Sequence, residues 1–463
     1  MPKLFGTAGI RARYLKKVNP QLAFNLGLAL AKYNDSSGKL VLGHDVRTTS
    51  PLLAYALASG AMSGGLDVLI LGLAPTPIVA YSTHKTDAKV GVSVTASHNP
   101  SEDNGFKVYD SNGMEYTVEM EEEIEELLEN IDKDYYVPWD RVGKPISIPN
   151  LIEEYVEELI DKFKMMPKRS VRVIVDCANG AAYNITPRIL RSLGAKTLTI
   201  HCNPDGFFPG RTPEPRPDVL NYLNDLLSSL DAEVAFAHDG DADRLSVLTR
   251  KQGFIKQDRL IALYAKLKLS DRKGYIIVSI DVGGAVEEVV ERYGGKIIRW
   301  KLGKTHEKLK ERTNVLLAAE PWKLIDPDWG LWVDGIYQAA WLTNLILTHG
   351  SLDDLLKDIP NYPSKRVSIK FDEEKIADVY KDVVEDLLSV KGNVRITTID
   401  GVRLDYDDYS WVLVRKSGTE PKIRIYVEAR NRQRLKELTS RVLELIKKHA
   451  DKRGAKMYSI EGM

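Results

Sequence analysis

The feature that most constrains the fold is a layout that recurs three times along the chain. In each copy an apolar strand leads into a helical stretch, a glycine opens a second strand, and a third strand ends in polar residues. The strands lie at 39–45, 65–70 and 89–97, then at 171–176, 194–200 and 232–239, and finally at 275–281, 295–300 and 315–320. Strands that alternate with helices imply crossover connections, and nearly continuous apolar runs suit strands covered on both faces. The pattern predicts three related α/β domains with mixed, largely parallel sheets.

The C-terminal part of the chain has a different pattern, which is typical of a separate α+β domain. Strands are predicted at 366–371, 394–404, 410–415 and 423–429, and helices at 373–388 and 432–449. Linkers are expected near 146–150, 251–253 and 360–365. A chain of 463 residues is too long for one ordinary core. We therefore predict four domains, at residues 1–148, 149–250, 251–362 and 363–463.

The charge balance argues against two classes of partner. The chain has 65 basic and 65 acidic residues, so a main role in binding nucleic acid or membranes has no support. The N-terminal residues lack a signal-peptide pattern, and the apolar stretch 66–80 is interrupted by Gly72, Pro75 and Pro77. We expect a soluble cytoplasmic protein that binds neither nucleic acid nor membranes.

Only two cysteines are present, Cys177 and Cys202, which is no disulfide framework. Buried free thiols in a reducing compartment are the favoured interpretation. A bond between the two remains open, because both lie near the ends of predicted neighbouring strands.

The first loop with chemical potential is Thr95–Pro100, at the carboxyl end of a third strand, where sites gather in such sheets. We expect Ser97 to be exposed there and to act as a nucleophile or phosphate carrier. His98 would assist proton transfer. The alternative is an Asn-Pro turn with a surface serine.

The second loop carries three carboxylates at alternate positions, Asp239, Asp241 and Asp243. In a looped segment they can converge on one hard cation such as Mg²⁺ or Ca²⁺. An EF-hand is excluded, because its sixth and twelfth positions would be Arg244 and Arg250. The alternative is solvated surface charge.

The third loop, Arg415–Pro421, lies between two apolar strands. An arginine fork, hydroxyls and glycine backbone N–H groups make a phosphate cradle, and a plain hairpin turn is the alternative. The N-terminal run 5–11, which ends on Arg11, is a weaker signal. Together the loops supply what phosphoryl transfer needs, namely positioning and charge neutralisation.

These residues resemble the α-D-phosphohexomutase superfamily, the phosphoglucomutase/phosphomannomutase group. The motifs that carry the resemblance are TASHNP, DGDADR and RKSGTEP, in this order. Supporting segments are 5–11, 105–107, 204–206 and 213–215. The resemblance covers essentially the whole chain and implies four domains around a central cleft, the fourth carrying the phosphate loop.

The resemblance also implies roles for individual residues. Ser97 matches the phosphoserine. The three residues that match the Mg²⁺ ligands are Asp239, Asp241 and Asp243, and a phosphoserine oxygen would complete the metal site. Residues that line the transfer site are Arg11, Lys107 and Arg244, and the acid/base candidates are His98 and Lys107. The residues that match the binding site for the non-reacting phosphate are Arg415, Ser417, Gly418 and Thr419.

Two departures from the family pattern concern sugar recognition. The family's loop Gly-Glu-x-Ser-Gly-His is here Ala319–Lys323, which keeps Glu320 and loses the serine, the second glycine and the histidine. Trp322 either stacks on a sugar face or packs. Lys304, where some members have histidine, is predicted to contact phosphate or sugar.

The implied activity interconverts hexose 1-phosphate and hexose 6-phosphate, of glucose and/or mannose, through a phosphoserine and a 1,6-bisphosphate. Mg²⁺ is the implied cofactor, and glucose 1,6-bisphosphate or an equivalent is the implied activator. The partners are hexose phosphates, and the protein would be a monomer or small homo-oligomer. Alternatives are a phosphoglucosamine mutase, a sugar-phosphate-binding homologue without catalysis, which the altered loop 319–323 motivates, and a net phosphatase.

Overall fold

The computed structural model describes residues 4–6, 8–417 and 420–462. The chain forms two compact units. Unit 1 contains Met1–Ile255 and Trp322–Lys357, and unit 2 contains Lys256–Pro321 and Asp358–Met463. Among the described helices, none combines the length and the apolar character that crossing a bilayer requires.

Unit 1 begins with a mixed sheet. Its strands are β1 (Phe5–Gly6), β2 (Gly9–Arg13), β3 (Lys39–His44), β4 (Asp67–Leu73), β5 (Val90–Val94), β6 (Asp103–Asp110) and β7 (Pro145–Ser147). Its helices are α1 (Pro20–Tyr33), α2 (Ser50–Ser63), α3 (Thr76–Lys85) and α4 (Val118–Glu129), with a 3₁₀ turn at Lys133–Tyr135. The strand order is β1-β2-β6-β5-β3-β4-β7. Strands β3, β4, β5 and β7 are parallel, whereas β1, β2 and β6 add antiparallel neighbours.

Helix α1 illustrates how the local sequence sets an element. The Asn19 side chain accepts a hydrogen bond from the Leu22 N–H at 2.8 Å, and Pro20 occupies the first turn, where no N–H is needed. The helix approaches α2 so closely that a Cβ on Gly60 would lie 1.9 Å from the Phe24 carbonyl oxygen. The two glycine-lined helices cover one face of the sheet and bury its apolar strands.

The second sheet of unit 1 is smaller. Its strands are β8 (Arg172–Asp176), β9 (Lys196–Ile200), β10 (Val234–His238), β11 (Leu245–Thr249) and β12 (Gly253–Phe254). Its helices are α5 (Asn150–Phe163), α6 (Ile185–Ser192) and α7 (Tyr222–Ser229). The order is β12-β11-β10-β8-β9, with β8, β9 and β10 parallel. The segment that returns to unit 1 contains β16 (Lys323–Ile325), α11 (Gly335–His349) and α12 (Leu352–Leu355).

The two cysteines follow the neighbouring strands β8 and β9 and form a disulfide, Cys177–Cys202. The favoured prediction of free thiols is therefore wrong, and the open alternative is the one observed. Parallel pairing brings the ends of the two strands together, which the spacing of 25 residues does not reveal.

Unit 2 contains the third parallel sheet and the C-terminal sheet. Strand β13 (Tyr275–Ser279) pairs in parallel with β14 (Lys296–Trp300) and β15 (Val315–Glu320). The helices are α8 (Gln257–Asp271), α9 (Gly284–Arg292) and α10 (Glu307–Glu311). The C-terminal elements are β17 (Ser364–Phe371), α13 (Ile376–Leu388), β18 (Val394–Thr397), β19 (Val402–Tyr406), β20 (Trp411–Lys416), β21 (Lys422–Glu428), α14 (Arg432–Arg453) and β22 (Met457–Glu461). These six strands are antiparallel, in the order β18-β19-β20-β21-β17-β22.

The predicted fold class is confirmed, because each of the three copies forms its three parallel strands and the C-terminal part forms an α+β sheet. Two of the expected linker regions contain paired strands. Residues 145–147 form the edge strand β7, and residues 251–253 belong to the turn and first residue of the β11–β12 hairpin. Composition does not reveal this hydrogen bonding to an adjacent strand, and the role of the two regions as linkers stays a prediction. The four domain boundaries remain a prediction.

Candidate active site

Ser97 follows β5 and is fully buried, so the prediction of an exposed serine is wrong. Its backbone has a φ of +53°, a left-handed conformation that costs a non-glycine residue about 1 kcal/mol or more. The Ser97 N–H donates to Thr95 Oγ1 at 2.8 Å, and its Oγ donates to Asp239 Oδ2 at 2.7 Å. The Ser97 side chain thus points to the loop after β10 and not to solvent.

Arg47 holds the serine loop, and the sequence analysis missed it. The guanidinium is fully buried and donates to the carbonyl oxygens of Ser97 at 3.0 Å, Asn99 at 2.7 Å and Asp103 at 2.9 Å, and also to that of Pro100. Its Nε donates to Asp45 Oδ2 at 3.0 Å. The only sequence signal for Arg47 was its position. It is a charged residue two positions after Asp45, the polar residue that ends the first predicted strand. A rigid planar donor fork explains why arginine stands here.

The predicted carboxylate triad converges. Asp239, Asp241 and Asp243 are fully buried, and one oxygen from each lies within 4.8 Å of the others. Asp241 Oδ2 accepts from Thr76 Oγ1 and Lys107 Nζ, both at 2.6 Å, and Asp243 Oδ2 accepts from the same ammonium at 2.6 Å. The surface-charge alternative is therefore excluded.

The pKa shifts and the hydrogen bonding of the triad are compatible with a bound cation. Burial, and then Asp241 and Asp243, raise the pKa of Asp239 well above its ordinary value. Burial lowers the pKa of Lys107, but the same two aspartates outweigh it and the net shift is upward. Asp241 Oδ1 and Asp243 Oδ1 are buried and have no hydrogen-bond partner. Such oxygens fit a hard cation such as Mg²⁺, which would satisfy both atoms and favour ionised Asp239.

Basic groups with unused donors surround the serine and the triad. Arg11 Nε and Nη2 and Arg244 Nε are buried without a hydrogen-bond partner. The Arg244 N–H donates to Asp239 Oδ1 at 3.2 Å, and its Nε lies 4.0 Å from Oδ2. His98 Nδ1 lies 3.4 Å from Ser97 Oγ. Burial, then Arg244 and Arg11, lower the pKa of His98, so its imidazole is neutral at neutral pH.

The returning segment of unit 1 supports the triad loop. The Gly335 N–H at the start of α11 donates to the Ala242 carbonyl oxygen at 3.2 Å. A Cβ on Gly335 would lie 2.6 Å from the Arg244 carbonyl oxygen, so only glycine permits this approach. Asp334 caps the helix by accepting from the Tyr337 N–H at 2.8 Å and also accepts from Tyr155 Oη at 2.9 Å. The N-terminus of α11 is therefore anchored to the loop that carries the aspartate triad.

Unit 2 brings together three of the predicted substrate contacts. Glu320 Oε1, at the end of β15, accepts from the Gly303 N–H at 3.0 Å, next to the buried Lys304. The Leu302 N–H donates to Asp400 Oδ2 at 3.3 Å, and Asp400 pairs with Arg415 at 2.9 Å. Arg415 Nε is buried without a partner. Unit 2 thus gathers an acceptor and two cations.

The remaining predicted contacts divide between the units. Ser417 is buried in unit 2, and its N–H donates to the Lys422 carbonyl oxygen at 2.9 Å. Gly418 and Thr419 lie outside the described residues. Trp322 belongs to unit 1, where its carbonyl oxygen accepts from the Leu245 N–H at 3.2 Å. The choice between its stacking on a sugar face and its packing within the protein stays open.

Comparisons with known proteins agree with this architecture along the chain. Family models for phosphoglucomutase/phosphomannomutase match in order: alpha/beta/alpha domain I at residues 2–135, domain II at 153–253, domain III at 256–362 and the C-terminal domain at 366–445. A protein named phosphopentomutase from Thermococcus kodakarensis is 40% identical over 459 residues, covering 97% of this chain and 100% of its own length.

Two further similar proteins carry other names. A probable phosphoglucosamine mutase from Methanobrevibacter smithii is 37% identical over 451 residues, covering 96% of this chain and 99% of its own. The crystal structure of a phosphoglucomutase/phosphomannomutase family protein from Burkholderia thailandensis has a TM-score of 0.85 at 26% identity, covering 99% of this chain and all of its own. The order of the four domains, the buried serine and the aspartate triad thus have one explanation: the chain is an enzyme of the phosphoglucomutase/phosphomannomutase family.

Proposed function

We propose that this enzyme interconverts hexose 1-phosphate and hexose 6-phosphate, of glucose and/or mannose, through a phosphorylated Ser97. The observation that carries the proposal is the 2.7 Å contact of Ser97 Oγ with Asp239, inside a buried triad that leaves two oxygens unsatisfied. A serine held against a cation site in this way is suited to carrying a phosphoryl group.

The proposed reaction starts from phosphorylated Ser97 and a sugar monophosphate. The free sugar hydroxyl attacks phosphorus, the bond to Ser97 Oγ breaks, and the hydroxyl proton passes to a base. The bisphosphate then reorients, and its other phosphate returns a phosphoryl group to Ser97. A sugar 1,6-bisphosphate primes the unphosphorylated enzyme, because it supplies the phosphoryl group that Ser97 lacks.

The site residues of unit 1 each have a role in this proposal. Mg²⁺, held by Asp239, Asp241 and Asp243 with a phosphoserine oxygen, would supply charge neutralisation for the phosphoryl group. Arg11 and Arg244 would donate hydrogen bonds from their unused N–H groups to the oxygens of this phosphoryl group.

Two side chains are candidates for moving the proton. The neutral His98 can accept a proton, and its Nδ1 lies 3.4 Å from Ser97 Oγ, but its lowered pKa makes it a weak base. Lys107 keeps its proton because Asp241 and Asp243 raise its pKa, so it can donate a proton only as a weak acid.

Unit 2 supplies recognition in the same proposal. Arg415 and Ser417 would hold the phosphate that does not react, together with Gly418 and Thr419. Lys304 and Glu320 would contact the sugar or its phosphate. The hydrogen bond from the Gly303 N–H fixes one oxygen of Glu320 and so sets the direction from which a sugar hydroxyl reaches it.

A pentose phosphate is the second candidate substrate, because the relative at 40% identity is named phosphopentomutase. The terminal hydroxyl would then be on C5. A glucosamine phosphate is the third, since several relatives are named as probable phosphoglucosamine mutases. All three substrates use the same phosphoryl chemistry, so the choice rests on sugar contacts such as Glu320.

The test is an assay of the purified protein with Mg²⁺ and a trace of the matching sugar bisphosphate. Glucose, mannose, glucosamine and ribose 1-phosphates are offered separately, and the terminal phosphates are measured. We expect turnover of glucose 1-phosphate, mannose 1-phosphate or both. Turnover of ribose or glucosamine 1-phosphate alone would replace the hexose proposal. Binding of all four without turnover would favour the non-catalytic homologue.

A further inference from the structure

The loop that departs from the family pattern ends on a lysine beside the triad. Lys323 is the first residue of β16 and belongs to unit 1. Its side chain is 8% exposed, and its Nζ lies 3.6 Å from Asp243 Oδ2 and 3.9 Å from Glu115 Oε1. Lys323 is thus a second buried ammonium at the cation site, next to Lys107.

Neither carboxylate saturates this ammonium. Both distances exceed a hydrogen bond, and Asp243 Oδ2 already accepts from Lys107 at 2.6 Å. Within residues 4–6, 8–417 and 420–462 we find no closer acceptor for Lys323. The Lys323 ammonium is thus nearly buried and ion-paired, but its two carboxylate neighbours lie beyond hydrogen-bond distance. Its N–H donors are therefore available to an anion that binds beside the triad.

Two other cations of the centre have buried donors without partners. These are Arg11 Nε and Nη2 and Arg244 Nε. Together with the Lys323 ammonium, these groups at one serine and one triad suit an anion that offers several oxygens. The transferring phosphoryl group has three, which matches.

The backbone before Lys323 is held in an unusual conformation. Trp322 has a φ of +70°, and its carbonyl oxygen accepts from the Leu245 N–H at 3.2 Å, just after the triad loop. A left-handed non-glycine residue costs about 1 kcal/mol or more and persists where the surroundings enforce it. This turn directs the next side chain to Asp243.

We propose that Lys323 is a further catalytic residue, which donates hydrogen bonds to the oxygens of the transferring phosphoryl group. The inference rests on the proposed function, because it needs a phosphoryl group at Ser97. It gives the altered loop a role in the chemistry as well as in sugar recognition.

The first experiment measures anion binding without turnover. Unphosphorylated protein is loaded with Mn²⁺ in place of Mg²⁺, and inorganic phosphate is titrated while ³¹P relaxation reports only phosphate close to the metal. We expect Lys323→Gln to weaken phosphate binding at least about tenfold and Lys323→Arg to stay within about threefold of wild type. The matched control is Lys85→Gln, which removes an exposed lysine paired with Glu158 and changes nothing.

The second experiment measures the rate at which a sugar 1,6-bisphosphate phosphorylates Ser97 in one turnover. We expect Lys323→Gln to lower this rate by about 10²-fold, with recovery in Lys323→Arg. Wild-type phosphate binding and an unchanged rate in Lys323→Gln would overturn the inference, even if Mn²⁺ affinity changes. Phosphate binding that depends on Lys323 in a protein that turns over no sugar phosphate would overturn the proposed function and, with it, the catalytic role, and would leave Lys323 only as a phosphate-binding residue beside the triad.

Discussion

Unit 1 contains a buried carboxylate triad and unit 2 a carboxylate pair, and the two clusters differ in what satisfies their oxygens. The triad is Asp239, Asp241 and Asp243, and the pair is the buried Glu428 with the half-buried Asp258. Burial raises the pKa of Asp239 and, in unit 2, the pKa of both carboxyl groups. Burial of acid groups is therefore common to the two.

The cluster in unit 2 is satisfied by the protein itself. Asp258 Oδ1 accepts from the Gly283 N–H at 2.9 Å, and Glu428 Oε1 accepts from the Gly284 N–H at 2.7 Å and from Trp411 Nε1 at 3.1 Å. These carboxylate oxygens lie at the N-terminus of α9, where the first backbone N–H groups have no partner within the helix. No cation is needed there.

The triad in unit 1 is satisfied only in part, since Asp241 Oδ1 and Asp243 Oδ1 have no partner. The comparison teaches that buried acidity by itself does not indicate a cation site. The unsatisfied carboxylate oxygens are what support the proposed cation site in unit 1. Four predictions break or sharpen this difference.

The largest effect is expected for Ser97→Ala. The variant loses the atom proposed to carry the phosphoryl group, so mutase turnover should fall at least about 10⁴-fold, while the melting temperature stays near wild type. Turnover and thermal melting check this. The matched control is Ser101→Ala, which changes a serine just after the same loop, whose Oγ donates to Glu102 Oε2 at 3.4 Å. Near-normal activity in Ser97→Ala would contradict the covalent route.

Asp241→Asn tests the difference between the clusters directly. We expect kcat to fall about 10²-fold and the Mg²⁺ concentration for half activity to rise at least about tenfold, because one anionic ligand is lost. Asp258→Asn in unit 2 should leave the Mg²⁺ titration unchanged. Identical titrations for wild type and Asp241→Asn would remove the triad as the cation site.

Arg47→Lys tests whether the serine loop needs a planar donor fork. Lysine offers three donors from one atom and cannot reach the four carbonyl oxygens that Arg47 serves, so buried carbonyl groups lose partners. We expect Ser97 phosphorylation about tenfold slower and unchanged Mn²⁺ affinity, because other residues hold the triad. Arg188→Lys, at an exposed pair with Glu153, is the control. A wild-type phosphorylation rate would refute the role of the fork.

The smallest effect is a change of stability with pH in unit 2. Burial and Asp258 raise the pKa of Glu428 from 4.5 to about 7. The folded state thus binds the proton more tightly, so this stabilisation is complete below about pH 4.5 and is lost as pH rises to about 7.

The variant Glu428→Gln checks the sign. It should be more stable than wild type by about 1–3 kcal/mol at pH 8, since glutamine needs no proton, and this advantage should shrink toward pH 5. Urea unfolding at both pH values measures it, and mutase activity should not change. A stability difference that is constant with pH would contradict the raised pKa.

Much of the fold was predictable because its signals are local. Apolar runs and glycines place β5, β10 and β15 within a few residues, and the loops after them carry the serine, the triad and Glu320. Ser97, Asp239, Asp241 and Asp243 were predictable from motifs of six residues or fewer. Their roles in catalysis remain predictions.

The sequence by itself determined the α/β repeats, the α+β C-terminal part and the family, since periodicity and contiguous motifs depend only on neighbours along the chain. Only the tertiary structure decided that Ser97 is buried, that Arg47 clamps its loop, that Cys177 meets Cys202 and that Lys323 reaches Asp243. The physical reason is that burial and hydrogen-bond satisfaction depend on which distant segments meet. A lysine 80 residues from its aspartate carries no mark of that meeting in the sequence.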